Sequence, residues 1–294
     1  MSDLNDSCRV PIPLSFQPGL PGSAEHYFHF LLGYILPILQ ILDVGCYRQG
    51  RREHFLVRSC GPVMDAVLDE VLQAFGVSYE KSSASDPRYS SSTAVKVPRW
   101  DLSLFLGGDA SSTGSVDTFH SDSLHRLGDV RGQVLDLAYS KRSVPDQYAD
   151  KILLLKRSAE PDFYRSDGVA EIARYGVGRR SLSGLNWAKD VLTAAGHAAE
   201  IYEPGAHTFF DQVRTFHACR GIVGIRGAEL ANMLWMKRGA FSVVLNVGNA
   251  PYRHLDYLSD HQGLHLEVLD RRAEGPHLSL KASDLAAIPG EMTA

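Results

Sequence analysis

Between Lys151 and Asp270 the chain alternates short, uninterrupted apolar runs with longer amphipathic stretches. The runs are Lys151–Leu155 (KILLL), Ala198–Tyr202, Gly221–Ile225 (GIVGI), Phe241–Val247 (FSVVLNV) and Leu264–Leu269 (LHLEVL). A strand that is apolar at consecutive positions is covered on both faces, which is the condition of a parallel sheet. The intervening segments, near Gly168–Tyr175, Asn186–Ala195, Phe209–Cys219, Glu229–Met236 and Tyr252–His261, carry helical signals, and Gly196 supplies a stop for the second. Strand and helix in strict alternation predict a doubly wound α/β domain.

The first half is less regular. Pro11–Pro21 reads as a loop, after which Ser23 can cap a helix that has Glu25 in its first turn and runs toward Leu42, with a kink at Pro37. The stretch Tyr27–Val44 is almost wholly apolar and nearly long enough to span a bilayer. His29, Gln40, Asp43 and Pro37 would be costly in lipid, so a buried or membrane-apposed helix is the expectation. His54–Arg58 predicts a strand, and Pro62 opens a helix with Val63, Val67, Val71 and Phe75 on one face before Gly76 ends it. Glu80–Ser92 reads as an exposed loop between strands near Val77 and at Ala94–Val97. A strand at Leu102–Leu106, a loop at Gly107–Ser115 and a helix over Asp117–Tyr139 follow. Ser140–Asp150 makes a hinge that divides the chain into domains 1–145 and 146–294.

Composition narrows the class. With 294 residues, 44% hydrophobic and 22% charged, the chain has material for two cores of ordinary globular kind. A formal net charge of −4 provides no field to gather nucleic acid, so any polyanion must meet a local basic site. Cys8, Cys46, Cys60 and Cys219 show no C-x-x-C spacing, which favours reduced thiols over a zinc site or a disulfide framework. Met1–Val10 is polar and carries Asp3 and Asp6, unlike a signal peptide. These features predict a cytoplasmic protein, with peripheral association at the cytoplasmic face of a membrane as the alternative.

In doubly wound folds ligands sit outside the carboxyl ends of the strands. That rule selects the segments after KILLL and after GIVGI. Lys156 and Arg157 follow the first directly, with Arg165, Arg179 and Arg180 beyond, and arginine can hold phosphate bidentately. After the second comes Arg226-Gly227-Ala228-Glu229-Leu230-Ala231-Asn232, a turn into a helix whose first N–H groups suit an anion. Arg226 adds a forked cation and Asn232 a donor and an acceptor. The alternative for Gly227 and Ala228 is close helix packing, and for Arg179 and Arg180 a solvated rim. Gly176-Val177-Gly178 neither follows a predicted strand nor carries a third glycine, so a nicotinamide or flavin fingerprint is not indicated.

The run GIVGIRGAELANMLWM, Gly221–Met236, resembles the signature of glycosyltransferase family 61, inverting enzymes that include xylosyl- and N-acetylglucosaminyltransferases. Gly224, Gly227, Ala228, Leu230, Asn232, Trp235 and Met236 match it. LLLKRS at Leu153–Ser158 resembles the family's strand and arginine, and Phe209–Ala218, with Gln212 and Ala218, resembles its next helix. Glu25–Phe30 is similar to the family's N-Y-Y-H-W/F motif, with His29 in place of the motif histidine. This sequence departs from the pattern at Arg226, where the family has histidine, at Glu229 and at Ala231, while Arg180-Ser181-Leu182-Ser183 echoes an R-x-I-x-N-E element only in part.

The resemblance implies a GT-B-like fold, two Rossmann-like doubly wound domains facing across a cleft, with 1–145 on the acceptor side and 146–294 holding a nucleotide-sugar, a UDP-sugar above all. It implies sugar transfer with inversion to a hydroxyl of a glycan, glycolipid or small molecule. Donor-binding residues would be Arg157, Arg180, Arg226, Gly227, Ala228 and Asn232, with His29 or Glu229 as the base. Cationic side chains that neutralise a diphosphate make a metal or other cofactor unnecessary. The substitutions at Arg226 and Glu229 favour the alternative, a non-catalytic sugar-nucleotide-binding protein that kept the fold.

Overall fold

A computed structural model of the chain describes residues 10–16, 26–45, 53–97, 116–141, 147–161, 176–247 and 253–290. It divides into two compact units, Met1–Val130 and Arg131–Ala294. Ser23, the predicted strand Leu102–Leu106 with the loop after it, the predicted helix Gly168–Tyr175 and the centre of the predicted hinge lie outside the described residues.

The first unit contains β1 (Ile12–Phe16), β2 (His54–Arg58), β3 (Ser78–Ser82) and β4 (Val95–Val97), a parallel sheet in the order β3-β2-β1-β4. Two of these strands correct the sequence reading. β1 lies where a loop is expected, and it tolerates Pro13 because that residue stands in register only with Leu56 of β2; pairing to β4 begins one residue later, at Leu14. β3 occupies part of the expected loop Glu80–Ser92, and its polar sequence SYEKS suits the sheet edge that it forms. The Pro62–Ala74 helix buries Met64, Leu68, Val71 and Leu72, so that of the expected row Val63, Val67, Val71 and Phe75 only Val71 is buried. Steps of four residues drift around a helix of 3.6 residues per turn, whereas i, i+4, i+7, i+8 stays on one face.

The apolar segment is helical from Tyr27 to Gly45, with a π-helical turn at Leu31–Ile35 ahead of Pro37. Pro37 has no N–H to offer the preceding turn, and the widened turn absorbs the loss where a kink is predicted. Phe30 through Leu36 are buried, and the Tyr34 hydroxyl donates to the carbonyl of Arg58 at 2.6 Å, so this helix is core. Among the described residues no helix is long and apolar enough to cross a membrane.

The second unit opens with the later part of the Val116–Lys141 helix and continues through β5 (Ile152–Leu155), β6 (Ser181–Ser183), β7 (Ala199–Tyr202), β8 (Gly221–Ile225), β9 (Phe241–Asn246), β10 (His265–Asp270) and β11 (His277–Ser279). Five form a parallel, Rossmann-like sheet in the order β10-β9-β8-β5-β7, as the apolar runs predict. Every residue of β5, β8 and β9 is buried. Ile152, Leu154, Val223 and Val243 pack with Leu185, Ala188 and Leu192 of the Leu185–Ala194 helix. Leu153, Leu155 and Ile222, which alternate to the other face, are equally covered. Three-residue β6 and β11, unforeseen from sequence, pair in parallel beside this sheet.

Three local ties matter later. The short helix expected at Glu229–Met236 is a 3₁₀ helix, Ala228–Trp235, and Arg131 donates to carbonyls at its end, Leu234 (2.6 Å), Trp235 (3.2 Å) and Met236 (3.0 Å). Arg271, just past β10, donates from Nη1 to both carboxylate oxygens of Asp284 at 2.6 and 2.7 Å. Cys60 and Cys219, one in each unit, are buried thiols outside any disulfide.

Candidate functional site

β5 is the first of the five strands along the chain, β7 the second and β8 the third, yet β5 lies between the other two. The chain steps to one side for β7 and crosses back for β8, so the winding reverses between β5 and β8. A crevice opens at the carboxyl ends of two strands whose connections leave in opposite directions, and ligands of doubly wound sheets bind there. Lys156-Arg157 and Arg226-Gly227-Ala228-Glu229 follow those two ends.

Their side chains meet. Arg157 Nε lies 3.4 Å from Glu229 Oε1, with the two side chains only 10% and 13% exposed. Arg180, immediately before β6, donates from Nη1 to the carbonyl of Arg226 at 2.9 Å. Arg226 is buried and donates from Nη1 to Asn246 Oδ1, at the end of β9, at 3.1 Å. Residues separated by up to 89 positions in sequence, from Arg157 to Asn246, thus converge on one strand-end surface.

The charge there is unbalanced. Burial first, and then the neighbouring Arg179, Arg226 and Arg157, push the Arg180 guanidinium down from 12.5 to about 10, against the opposing pull of Glu229. Arg226 is lowered too, by burial and then by Arg179. Among the described residues the Glu229 carboxylate opposes the mutual repulsion of these guanidinium groups, and perturbed groups at a crevice are candidates for a functional site.

Gly227 is extended (φ −164°, ψ 176°), so its backbone does not require glycine. Space does. A Cβ at Gly227 would lie 2.7 Å from Cδ of Glu229 and closer still to both carboxylate oxygens, which means that the Glu229 carboxylate folds back against the Gly227 Cα. Oε1 of Glu229 is buried with no hydrogen-bond partner. The first turn of the 3₁₀ helix closes with the Leu230 N–H on the Gly227 carbonyl at 3.2 Å, so the N–H groups of Ala228 and Glu229 have no acceptor within the helix.

Next to this cluster is a cleft of about 480 Å³, lined by Lys156, Arg157, Ser181, Ser183, Asn186 and Trp187. Arg157 belongs to both. The volume is in the range of small-ligand pockets, and Trp187, 42% exposed, presents an aromatic surface at its rim. Gly184 stands in the left-handed region at φ 78°, where the chain turns from β6 into the Leu185–Ala194 helix.

Of the residues singled out from sequence, Arg157, Arg180, Arg226, Gly227, Ala228 and Glu229 come together. Asn232 stands apart: it has no exposed surface, and its amide donates to Gln212 Oε1 at 2.9 Å, while Gln212 Nε2 donates to the His207 carbonyl at 3.2 Å. It ties the 3₁₀ helix to the Phe209–Ala218 helix. His29 belongs to the first unit, half-buried in the apolar helix, with its ring edge-on to Phe28 at 5.4 Å and stacked with His26 at 6.2 Å. Asn246, Asn186 and Trp187 were not legible as site residues. Their roles follow from strand order and helix placement, and no local motif signals them. Among the described residues no cluster of three or more His, Cys, Asp or Glu is arranged to hold a metal.

The model of the family described as Glycosyltransferase 61 matches residues 27–244, most of the chain and, but for Asn246, the cluster just described. No curated protein matches it.

Proposed function

Since the chain belongs to the glycosyltransferase 61 family, we propose that it transfers a sugar, with inversion, from a UDP-sugar to a hydroxyl of a glycan, glycolipid or small molecule. The four arginines gathered where the sheet reverses its winding, Arg157, Arg179, Arg180 and Arg226, carry the most weight. They offer fixed positive charge at the position where a leaving diphosphate develops negative charge, and electrostatic stabilisation of that kind is usually the largest catalytic contribution. The amides of Gly227 and Ala228 add donors at the start of the 3₁₀ helix. The cleft beside Arg157 takes the nucleoside, with Trp187 as an aromatic face for the base. Asn232 keeps the turn in place through Gln212.

Neutralisation by arginine leaves no need for a divalent ion, and a GT-B arrangement, with the acceptor held on the side of the first domain, is part of the same proposal. His29 and Glu229 are the two candidates to take the acceptor's proton. Replacing the true base lowers kcat while UDP binding persists, so His29→Ala and Glu229→Gln separate them. A cytoplasmic setting, with peripheral membrane association as its variant, suits the acceptors named.

Titration of the protein with UDP and a panel of UDP-sugars, followed by thermal melting and by release of free sugar or UDP, tests the proposal. Stabilisation with turnover is the expected result, and no stabilisation up to millimolar nucleotide would sink it. A second reading, a sugar-nucleotide binder without activity, is favoured by the carboxylate of Glu229 lying among the arginines. It predicts stabilisation by UDP with no turnover on any donor.

A further inference from the structure

We infer that Glu229 competes with the donor's diphosphate for one position, and that its carboxylate must leave Gly227 before a diphosphate can bind. The inference rests on the proposed diphosphate site and specifies how that site is regulated. A phosphate oxygen seeks the Arg157 guanidinium, the N–H groups at the start of the 3₁₀ helix and a glycine that permits close approach. The Glu229 carboxylate already occupies that ground. It faces Arg157 Nε, and it lies where a side chain on Gly227 would be. A turn built with glycine beside two amides free of helical acceptors is filled by the chain's own anion.

The contact is loose for a permanent ion pair. At 3.4 Å its nearest approach is longer than the roughly 2.7–2.9 Å of a charge-assisted hydrogen bond, and Oε1 makes no hydrogen bond although it is buried. Compare Arg271 and Asp284 in the same unit, joined by two short bonds to both oxygens. A carboxylate so weakly held on Arg157 can be exchanged for an anion of higher charge at small cost. A ligand of single charge gains only what the carboxylate already provides, whereas a diphosphate brings more. Glu229 therefore sets a threshold that favours nucleoside diphosphates over singly charged competitors.

Calorimetric titration of the full chain with inorganic pyrophosphate, and separately with UDP, decides the matter. Glu229→Gln and Glu229→Ala should bind both at least about tenfold more tightly than the unaltered protein, because repulsion between a carboxylate and a phosphate is removed. Glu267→Gln makes the same charge change at an exposed residue of β10, across the sheet, and should leave affinity unaltered. Binding by the unaltered protein with no tightening in either Glu229 variant overturns the inference and leaves the diphosphate site standing; equal tightening in Glu267→Gln overturns it as well. Failure of all four proteins to bind at millimolar ligand removes the diphosphate site itself. Loss of the fold in both Glu229 variants, seen by circular dichroism, would make Glu229 structural and also overturn the inference.

Discussion

Replacing Arg180 with Met keeps the aliphatic stem and deletes the charge, and the expected result is a protein that binds UDP poorly yet is no less stable. The guanidinium falls from 12.5 to about 10 on folding, through burial and then through Arg179, Arg226 and Arg157. The folded state thus holds this proton less firmly than the unfolded state, so the charge costs stability at every pH below about 10, and the cost fades as pH rises from there toward 12.5. At about 1.36 kcal/mol per pKa unit the upper bound is about 3 kcal/mol; solvent screening of a half-buried group reduces it to about half. Against this, Met gives up the hydrogen bond to the Arg226 carbonyl, worth about 1.5 kcal/mol for a charged donor. The two nearly cancel. Urea denaturation should give an unfolding free energy within about 1 kcal/mol of the unaltered protein, while titration shows UDP affinity lower by about tenfold or more. A loss of more than about 2 kcal/mol, or an undiminished affinity for UDP, would refute the idea that Arg180 is held in a repulsive cluster for the sake of an anion.

Arg271→Ala should behave in the opposite way, because it strands the Asp284 carboxylate, 4% exposed, without its guanidinium: a loss of roughly 3–5 kcal/mol by urea denaturation with UDP affinity unchanged, and a loss below about 1 kcal/mol would contradict it. Gly227→Ala keeps an allowed backbone but puts a methyl group where the Glu229 carboxylate lies, so UDP affinity should fall about tenfold with a melting temperature within about 2 °C; an unaltered affinity would detach Gly227 from the phosphate site. The His217 imidazole is pushed down to about 4 by burial and then by Arg131 and Lys237, and hydrogen-bonds the Tyr139 hydroxyl at 2.7 Å. Its contribution is present above about pH 6.5 and is lost as pH falls toward 4, since the unfolded state binds the proton first. Melting temperatures between pH 7 and 4.5 should therefore drop less steeply in His217→Gln, with His261, shifted in the same direction, sustaining part of the slope; identical slopes in the two proteins would be the contrary result.

What could be seen in the sequence was what burial writes into it. KILLL, GIVGI and FSVVLNV are covered on both faces, and their apolar continuity announced the central strands and their parallel pairing. β3 is polar because it is an edge, β6 and β11 are too short for a periodicity, and Pro13 made β1 look like a turn; each was lost for a different reason. The arginines after β5 and β8 followed from the rule that strand ends bind ligands, since order along the chain already placed them there. Their partners did not. Asn246 reaches Arg226, and Gln212 takes the amide of Asn232, across 20 residues in each case, and only the pairing of β8 with β9 and the packing of one helix on another make those neighbours. The Glu229 fold-back onto Gly227 is a side-chain conformation, which residue types alone do not specify.

The two interior cysteines give each half of the chain its own clock. Burial raises the Cys219 thiol to about 12, and Cys60 is equally enclosed, so neither can present a thiolate to an alkylating reagent while its surroundings stay closed. With Cys8 and Cys46 changed to serine, one thiol remains for Met1–Val130 and one for Arg131–Ala294. The rate at which each is alkylated under native conditions then reads out how often that half opens, and whether saturating nucleotide slows the second without touching the first.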